Sequence, residues 1–330
     1  MTERRGSTGW LRAALGLAGL LLAIGLGWYA LPAAGLALVF DSWVVPAVAL
    51  LHLLQQALCG LAWHRLVVPP RPSAWAFFRA RWVRASVAAL VPVSGVGAAL
   101  VGLRLSRRAG LTMEHAVASL TLDATLEMIT QVMFLALGFA LLLGLRPQQE
   151  VLWWSVTVLS VACLAVGLFV AAQRGGAMKL IEAGLSRLAA RWPSLLPLAE
   201  ARLHQRLMQL HGRRGAAVAA GAYHLGAWLL GAVEIWAVLY AVGRPMGPAE
   251  CIIIESLSMA ARSAGFFVPG ALGVQELGLV IVGGLVGLHA DTAMQIAVVK
   301  RLRDVAIGVP GLVIWQWLEG RRSPATRAVQ

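Results

Sequence analysis

The chain has 330 residues, of which 59% are apolar and only 13% charged, and its mean hydropathy is +0.75. That balance excludes an ordinary soluble domain and leaves little chain over for a soluble catalytic one. A net charge of +13 would suggest nucleic acid in a soluble protein, but here the positions of the Lys and Arg residues read as membrane topology instead.

A bilayer core about 30 Å thick needs roughly 20 apolar residues per helix. Six windows meet that need, near residues 10–31, 43–64, 114–144, 151–172, 215–242 and 293–318. If each crosses, most of the basic residues fall on one side. Arg4, Arg5 and Arg12 precede the first window, a run from Arg65 to Arg108 separates the second from the third, a run from Arg174 to Arg214 follows the fourth, and Arg321, Arg322 and Arg327 follow the sixth. The opposite side receives Arg146 and Arg244. The positive-inside rule then predicts a multi-pass membrane protein with both termini cytoplasmic. The first window reads as an uncleaved span. Cys59, Cys163 and Cys251 lie in apolar segments without metal-like spacing and read as packing residues. Many tryptophans, such as Trp43, Trp63, Trp153 and Trp154, mark membrane interfaces. "MKLIEAGLSRLAARW", Met178 to Trp192, carries one apolar face and reads as an interfacial helix.

Two stretches are interrupted. "RASVAALVPVSGVGAALVGLRLSRRAG", Arg84 to Gly110, and "SMAARSAGFFVPGALGVQELGLVIVGGLVG", Ser258 to Gly287, each hold two apolar arms around a Pro and Gly break. Broken backbone is tolerated at membrane depth only where protein or water satisfies the freed amides and carbonyls, which predicts two re-entrant hairpins. Val91-Pro92 aligns with Val268-Pro269, and the same offset places Asp123 on Lys300 and Glu127 on Asp304. Three full spans separate the hairpins, so they insert from opposite faces. The expected fold is therefore an all-α integral membrane protein of about six transmembrane helices plus two oppositely inserted hairpins, arranged as an inverted repeat. It forms one polytopic domain over 1–330: a first repeat at about 41–144, a cytoplasmic interfacial segment at about 173–214, a second repeat at about 215–318 and a tail at 319–330.

Polar residues inside these segments are the functional candidates. Asp123, Glu127, Thr130 and Gln131 form one helical stripe; Lys300, Arg303 and Asp304 form another, with Arg301 about 100° away. Each unpaired charge at the bilayer centre costs roughly 2.5 to 3.5 kcal/mol or more, so these residues must pair or face water. Two readings stay open: Asp123 and Glu127 neutralise Lys300 and Arg301 or Arg303, locking the repeats together, or the groups coordinate a headgroup, an ion or a proton. Asp123 and Lys300 are the expected cross-repeat partners. His52, Gln55 and Gln56 read as interhelical hydrogen-bonding groups, and His224 and Glu234 resemble them.

The second hairpin and the helix after it, "FVPGALGVQELGLVIVGGLVGLHADTAMQIAVVKRLRDVAIGVPG", resemble the C-terminal pattern of the lysylphosphatidylglycerol synthase transmembrane-region family through Pro269, Gly273, Glu276, Arg301-Leu302 and Pro310-Gly311. "AWHRL", "ARWVRASVAALVPVSGVGAALVGLRL" and "SLTLDATLEMITQVMFLALG" resemble its hopanoid-biosynthesis-associated branch. This chain departs from the branch pattern at Ala85, Ala88-Ala89 and Gly97-Ala98-Ala99, where the branch carries polar residues. The resemblance implies a flippase-like lipid translocase or lipid-transport protein, moving a hopanoid or phospholipid headgroup across or within the inner membrane. Its candidate lipid path comprises Arg84, Pro92, Asp123, Glu127, Arg262, Pro269, Gly273, Glu276, Lys300, Arg301 and Asp304. The alternatives are a membrane scaffold or accessory protein for hopanoid or lipid biosynthesis and, further off, a lipid-modifying enzyme. Against an enzyme stand the lack of an Asp-rich metal motif, a His/Cys cluster or a nucleophile with an evident base. No cofactor, metal or nucleic acid is expected. The expected partners are membrane lipids, hopanoid or anionic phospholipid, and lipid-biosynthesis enzymes.

Overall fold

The computed structural model describes residues 43–91, 95–174, 212–265, 271 and 273–320. Among these the regular elements are nine α-helices: α1 Val44–Leu66, α2 Ala74–Leu90, α3 Gly95–Arg108, α4 Met113–Leu145, α5 Gln149–Arg174, α6 Arg214–Ala241, α7 Pro248–Ala264, α8 Val274–Leu285 and α9 Ala290–Gly320. Among the described residues four helices, α1, α4, α5 and α6, are long and apolar enough to cross a membrane. They fall on four of the six apolar windows. The fifth, 293–318, lies within α9, which does not join them because Lys300, Arg301, Arg303 and Asp304 interrupt its apolar run. The window at 10–31, the segment Met178 to Trp192 and the hairpin positions Pro92 and Pro269 lie outside the described residues.

Local chemistry sets several boundaries. Thr112 caps α4 by accepting a hydrogen bond from the His115 amide. Pro248 opens α7 directly after Gly247, so the helix before the second interruption begins well before Ser258, the start expected from sequence. Gly273 stands immediately before α8 with φ +80°, a left-handed backbone that favours glycine. At 17 and 12 residues, and about 1.5 Å per residue, α7 and α8 are each shorter than the roughly 30 Å of hydrocarbon that a span must cross.

The chain packs as two compact units, one drawn from residues 1–55, 82–101 and 229–330, the other from 56–81 and 102–228. The first unit holds the described residues flanking both interruptions, 82–91 with 95–101 and 248–265 with 273–285. Its core unites Val48 of α1, Ile235 and Leu239 of α6, Ile254 of α7, Leu279 of α8 and Ile296 and Val299 of α9. α7 packs on α8, and α8 on α9. Glycine permits the closest approaches: a Cβ on Gly278 would lie 2.9 Å from the Ala261 Cβ. On α9, Gly308 meets Leu90 and Gly311 meets Ser86 and Trp82. Pro310 removes one backbone donor from α9, and in the same turn the Trp82 indole donates a 2.8 Å hydrogen bond to the Ile307 carbonyl.

The second unit has its own core, in which Ala62 and Leu66 of α1 pack with Ala118 and Leu122 of α4 and Ala220 of α6. The Trp63 indole donates to Ser119 Oγ at 3.0 Å, and its ring meets Phe77 edge-on. Trp228 stacks on Phe134 and donates to Thr130 Oγ1 at 3.2 Å. α5 packs on α4, where Gln173 donates to Thr125 Oγ1 at 2.8 Å. Elsewhere α5 is exposed, with Leu152, Trp153, Trp154, Val161, Leu164 and Leu168 uncovered, as suits a helix facing lipid.

The α2–α9 contact yields a stability prediction. A methyl group on Gly311 would sit 2.0 Å from Ser86 Oγ and 2.9 Å from its Cβ, so Gly311→Ala is expected to destabilise the detergent-solubilised protein by about 1–3 kcal/mol. Adding Ser86→Gly to Gly311→Ala is expected to restore most of the loss. Thermal unfolding of the single and double variants checks this.

Candidate functional site

In the first unit the polar groups gather around one turn of α9. Lys300, Arg303 and Asp304 are buried, at 2%, 4% and 6% exposure. Lys300 Nζ pairs with Glu255 Oε2 of α7, a carboxylate that is itself 5% exposed. Space for it comes from α6, where a Cβ on Gly231 would lie 2.6 Å from Glu255 Oε1. Arg303 bridges two carboxylates: its NH1 pairs with Glu234 Oε2 of α6, and its NH2 donates to Asp304 Oδ1 at 2.7 Å. Glu234 is fully buried and also meets His52 Nδ1 at 3.3 Å and the Gln55 amide, both on α1.

The remaining charges lie where α7 gives way to α8. Arg301 Nε donates to Glu276 Oε1 at 2.7 Å, and its NH2 reaches the Ala271 carbonyl at 3.4 Å. Arg262, in the last turn of α7, donates from NH1 to Gln275 Oε1 at 2.6 Å. Gln275 and Glu276 are consecutive residues in the first turn of α8, so the two guanidinium groups are tied to the same turn. Glu276 Oε2 and Asp304 Oδ2 are buried and accept no hydrogen bond from the described residues.

The second unit carries a separate network. Arg81 of α2 binds Glu127 of α4 with two nitrogens, NH1 to Oε2 at 2.9 Å and NH2 to Oε1. The same NH1 lies 3.8 Å from Asp123 Oδ2, and Arg81 Nε donates to Gln56 Oε1 at 3.4 Å. Asp123, fully buried, meets His224 Nε2 of α6 at 3.1 Å. Four helices thereby contribute to one buried polar cluster, in which Glu127 is the more exposed carboxylate.

Measured against the candidate path, the expected pairing of Asp123 with Lys300 is corrected. Asp123 is met by His224 and Arg81, and Lys300 by Glu255. Each residue finds an opposite charge within its own unit. Arg262, Glu276, Arg301, Lys300 and Asp304 do gather in the first unit, and Asp123 with Glu127 in the second. Arg84 is half-buried on α2, one turn beyond Arg81. Pro92 and Pro269 lie outside the described residues. Arg81 and Glu255 were not singled out from sequence, while Arg303 was read as a member of the charged stripe and Glu234 as an interhelical hydrogen-bonding group, both outside the candidate path; Arg81 is central to the network of the second unit and the other three to that of the first. The signal for Glu255 was a lone acid in "CIIIESLSM", and for Arg81 a base in "FFRARW", both subject to the same cost of burial that singled out Lys300. Among the described residues no three His, Cys, Asp or Glu side chains converge to hold a metal ion.

The pairings predict distinct outcomes. Removing one partner of a buried ion pair costs about 3–5 kcal/mol, while replacing both by apolar groups costs far less. Lys300→Met is therefore expected to lower thermal stability sharply and Lys300→Met with Glu255→Met to recover most of it. Exchanging the charges of Lys300 and Glu255 should outperform either single reversal, whereas exchanging Asp123 and Lys300 should not. Melting temperatures of purified protein decide between these outcomes.

The family model for the lysylphosphatidylglycerol synthase TM region matches residues 10–311. No curated protein and no solved structure matches the chain.

Proposed function

Because the chain belongs to the lysylphosphatidylglycerol synthase TM-region family, it is a multi-pass membrane protein with a membrane-lipid-related function, and we propose that it is a lipid translocase of the bacterial inner membrane. The observation that carries this reading is the charged turn of α9. Four charged residues lie consecutively or nearly so in a helix of 31 residues, and α6, α7 and α8 each supply a carboxylate partner to it. A membrane protein that only needed to fold would be as stable with apolar residues there. Ionisable groups kept at membrane depth mark pathways for substrates and ions.

In this reading α2–α3 and α7–α8 are the two re-entrant hairpins of an inverted repeat, and both termini are cytoplasmic. The occurrence of the residues flanking both breaks in one compact unit supports it. A headgroup of a hopanoid or a phospholipid passes along the polar groups near the α7–α8 turn while its tail stays in the hydrocarbon. The long arms of Arg262, Arg301 and Glu276 change partners as it passes, because these are the partly exposed members of the cluster.

A scaffold or accessory role in lipid biosynthesis is the second reading, and one observation favours it: Lys300, Arg303, Glu234 and Glu255 satisfy one another in a buried setting. Reconstituted vesicles separate the two. The translocase reading expects transbilayer movement of labelled phosphatidylglycerol or of a labelled hopanoid to be faster with protein than without. Equal rates for both lipids in protein-containing and empty vesicles would overturn it and leave the scaffold.

A further inference from the structure

The ion pairs of the first unit do not distribute charge evenly. Lys300 and Glu255 neutralise each other. Arg303 faces two carboxylates, Glu234 and Asp304, leaving that end with one negative charge in excess when His52 is neutral. Where α7 meets α8 the imbalance has the opposite sign, since Arg301 pairs with Glu276 while Arg262 bonds the neutral Gln275. Among the described residues Arg262 pairs with no carboxylate, and its one hydrogen-bond partner is the neutral amide of Gln275.

Arg262 is also built to receive something. A guanidinium has five N–H donors in a fixed planar fork, and among the described residues only NH1 is engaged. Gln275 is 4% exposed, so the amide that holds the guanidinium is itself fixed by its surroundings, while Arg262 is partly exposed. The other basic residues of the turn and of α9 are committed to carboxylates: Lys300 to Glu255, Arg303 to Glu234 and Asp304, and Arg301 to Glu276. An arginine with a neutral partner beside a second arginine, in a protein surrounded by lipid, matches an oxyanion such as phosphate, two of whose oxygens the planar guanidinium can bind through parallel hydrogen bonds.

We propose that Arg262, held by Gln275 at the α7–α8 turn, is a binding site for a phosphoryl oxyanion. The ligand chemistry is a singly charged phosphate bearing two free oxygens, which a phospholipid headgroup or free inorganic phosphate can present. The inference rests on the lipid-handling reading for its biological meaning but not for its geometry. It assigns the substrate-contacting role to Arg262 and leaves the buried Lys300 and Arg303 as groups that set the field around it.

Native mass spectrometry of the full chain in detergent tests the site, with three probes added separately: dioleoylphosphatidylglycerol, a diacylglycerol glucoside that lacks phosphate, and inorganic phosphate. The wild type is expected to retain phosphatidylglycerol and not the glucoside. Arg262→Gln should reduce retention about tenfold, in line with the loss of a charge-assisted hydrogen bond, and Arg262→Lys less. Gln275→Glu supplies a second variant that keeps the fold, because it gives Arg262 a carboxylate within the chain. It should raise the melting temperature while lowering phosphatidylglycerol retention as Arg262→Gln does. Displacement of the lipid by millimolar phosphate would identify free phosphate as a competing source, and lack of displacement would identify the lipid headgroup; both support the site. Unchanged phosphatidylglycerol retention in a folded Arg262→Gln and in Gln275→Glu, or equal retention of the glucoside, overturns it. Loss of retention in both variants together with no lipid movement by the wild type in vesicles would instead sink the translocase reading and leave the oxyanion site standing.

Discussion

One constraint governs the first unit: a charged side chain inside a membrane must find its opposite or reach water. Lys300, Arg301, Arg303 and Asp304 occupy barely more than one turn of α9, and their side chains leave the helix in different directions. No single neighbour can serve them all. α6, α7 and α8 each bring a carboxylate to a different side of that turn, and α1 adds His52 and Gln55 behind Glu234. The arrangement of these helices around α9 is thus dictated as much by where charge must be answered as by apolar packing, which among lipid tails has little power to choose between helix faces.

The same requirement explains why small residues recur where they do. Helices approach closely at Gly278 against Ala261 and at Gly308 and Gly311 against α2, and close approach is what brings a side chain of one helix within hydrogen-bonding range of the next helix's backbone. Trp82 reaching the Ile307 carbonyl beside Pro310 is an example. The Pro-Gly pair near the end of α9 therefore has two effects: proline removes the backbone donor that would answer the Ala306 carbonyl, and glycine leaves room for Trp82, whose indole bonds the neighbouring Ile307 carbonyl.

Much of this was legible in the sequence. Hydropathy located four of the long helices and the extent of α9, because a run of twenty apolar residues leaves few alternatives. The breaks before α3 and α8 were legible from their Pro and Gly content, and the charged stripe of α9 from its spacing. The identity of the partners was not. Asp123 and Lys300 were expected to meet because an offset between two halves aligned them, yet sequence symmetry carries no distances. Glu255 and Arg81 sit in arms that hydropathy passes over as neither span nor loop, and that is where the partners came from. Nor does spacing choose a partner for Glu276 between Arg262 and Arg301; only packing places Arg301 against it and Arg262 against Gln275.

Gly231 bears a consequence beyond its own helix. In an apolar segment such as "HLGAWLLGAVEIW" a glycine-to-alanine change is ordinarily among the mildest available, and it favours the helix. At this position the missing methyl group is the space that Glu255 Oε1 fills, so the added carbon would push a carboxylate off the lysine that balances it. A substitution with no charge and almost no volume would act here as a charge mutation, felt at Lys300 on another helix. Tolerance to change along α6 should accordingly follow the position of the nearest ion pair rather than the apolar character of the residue replaced.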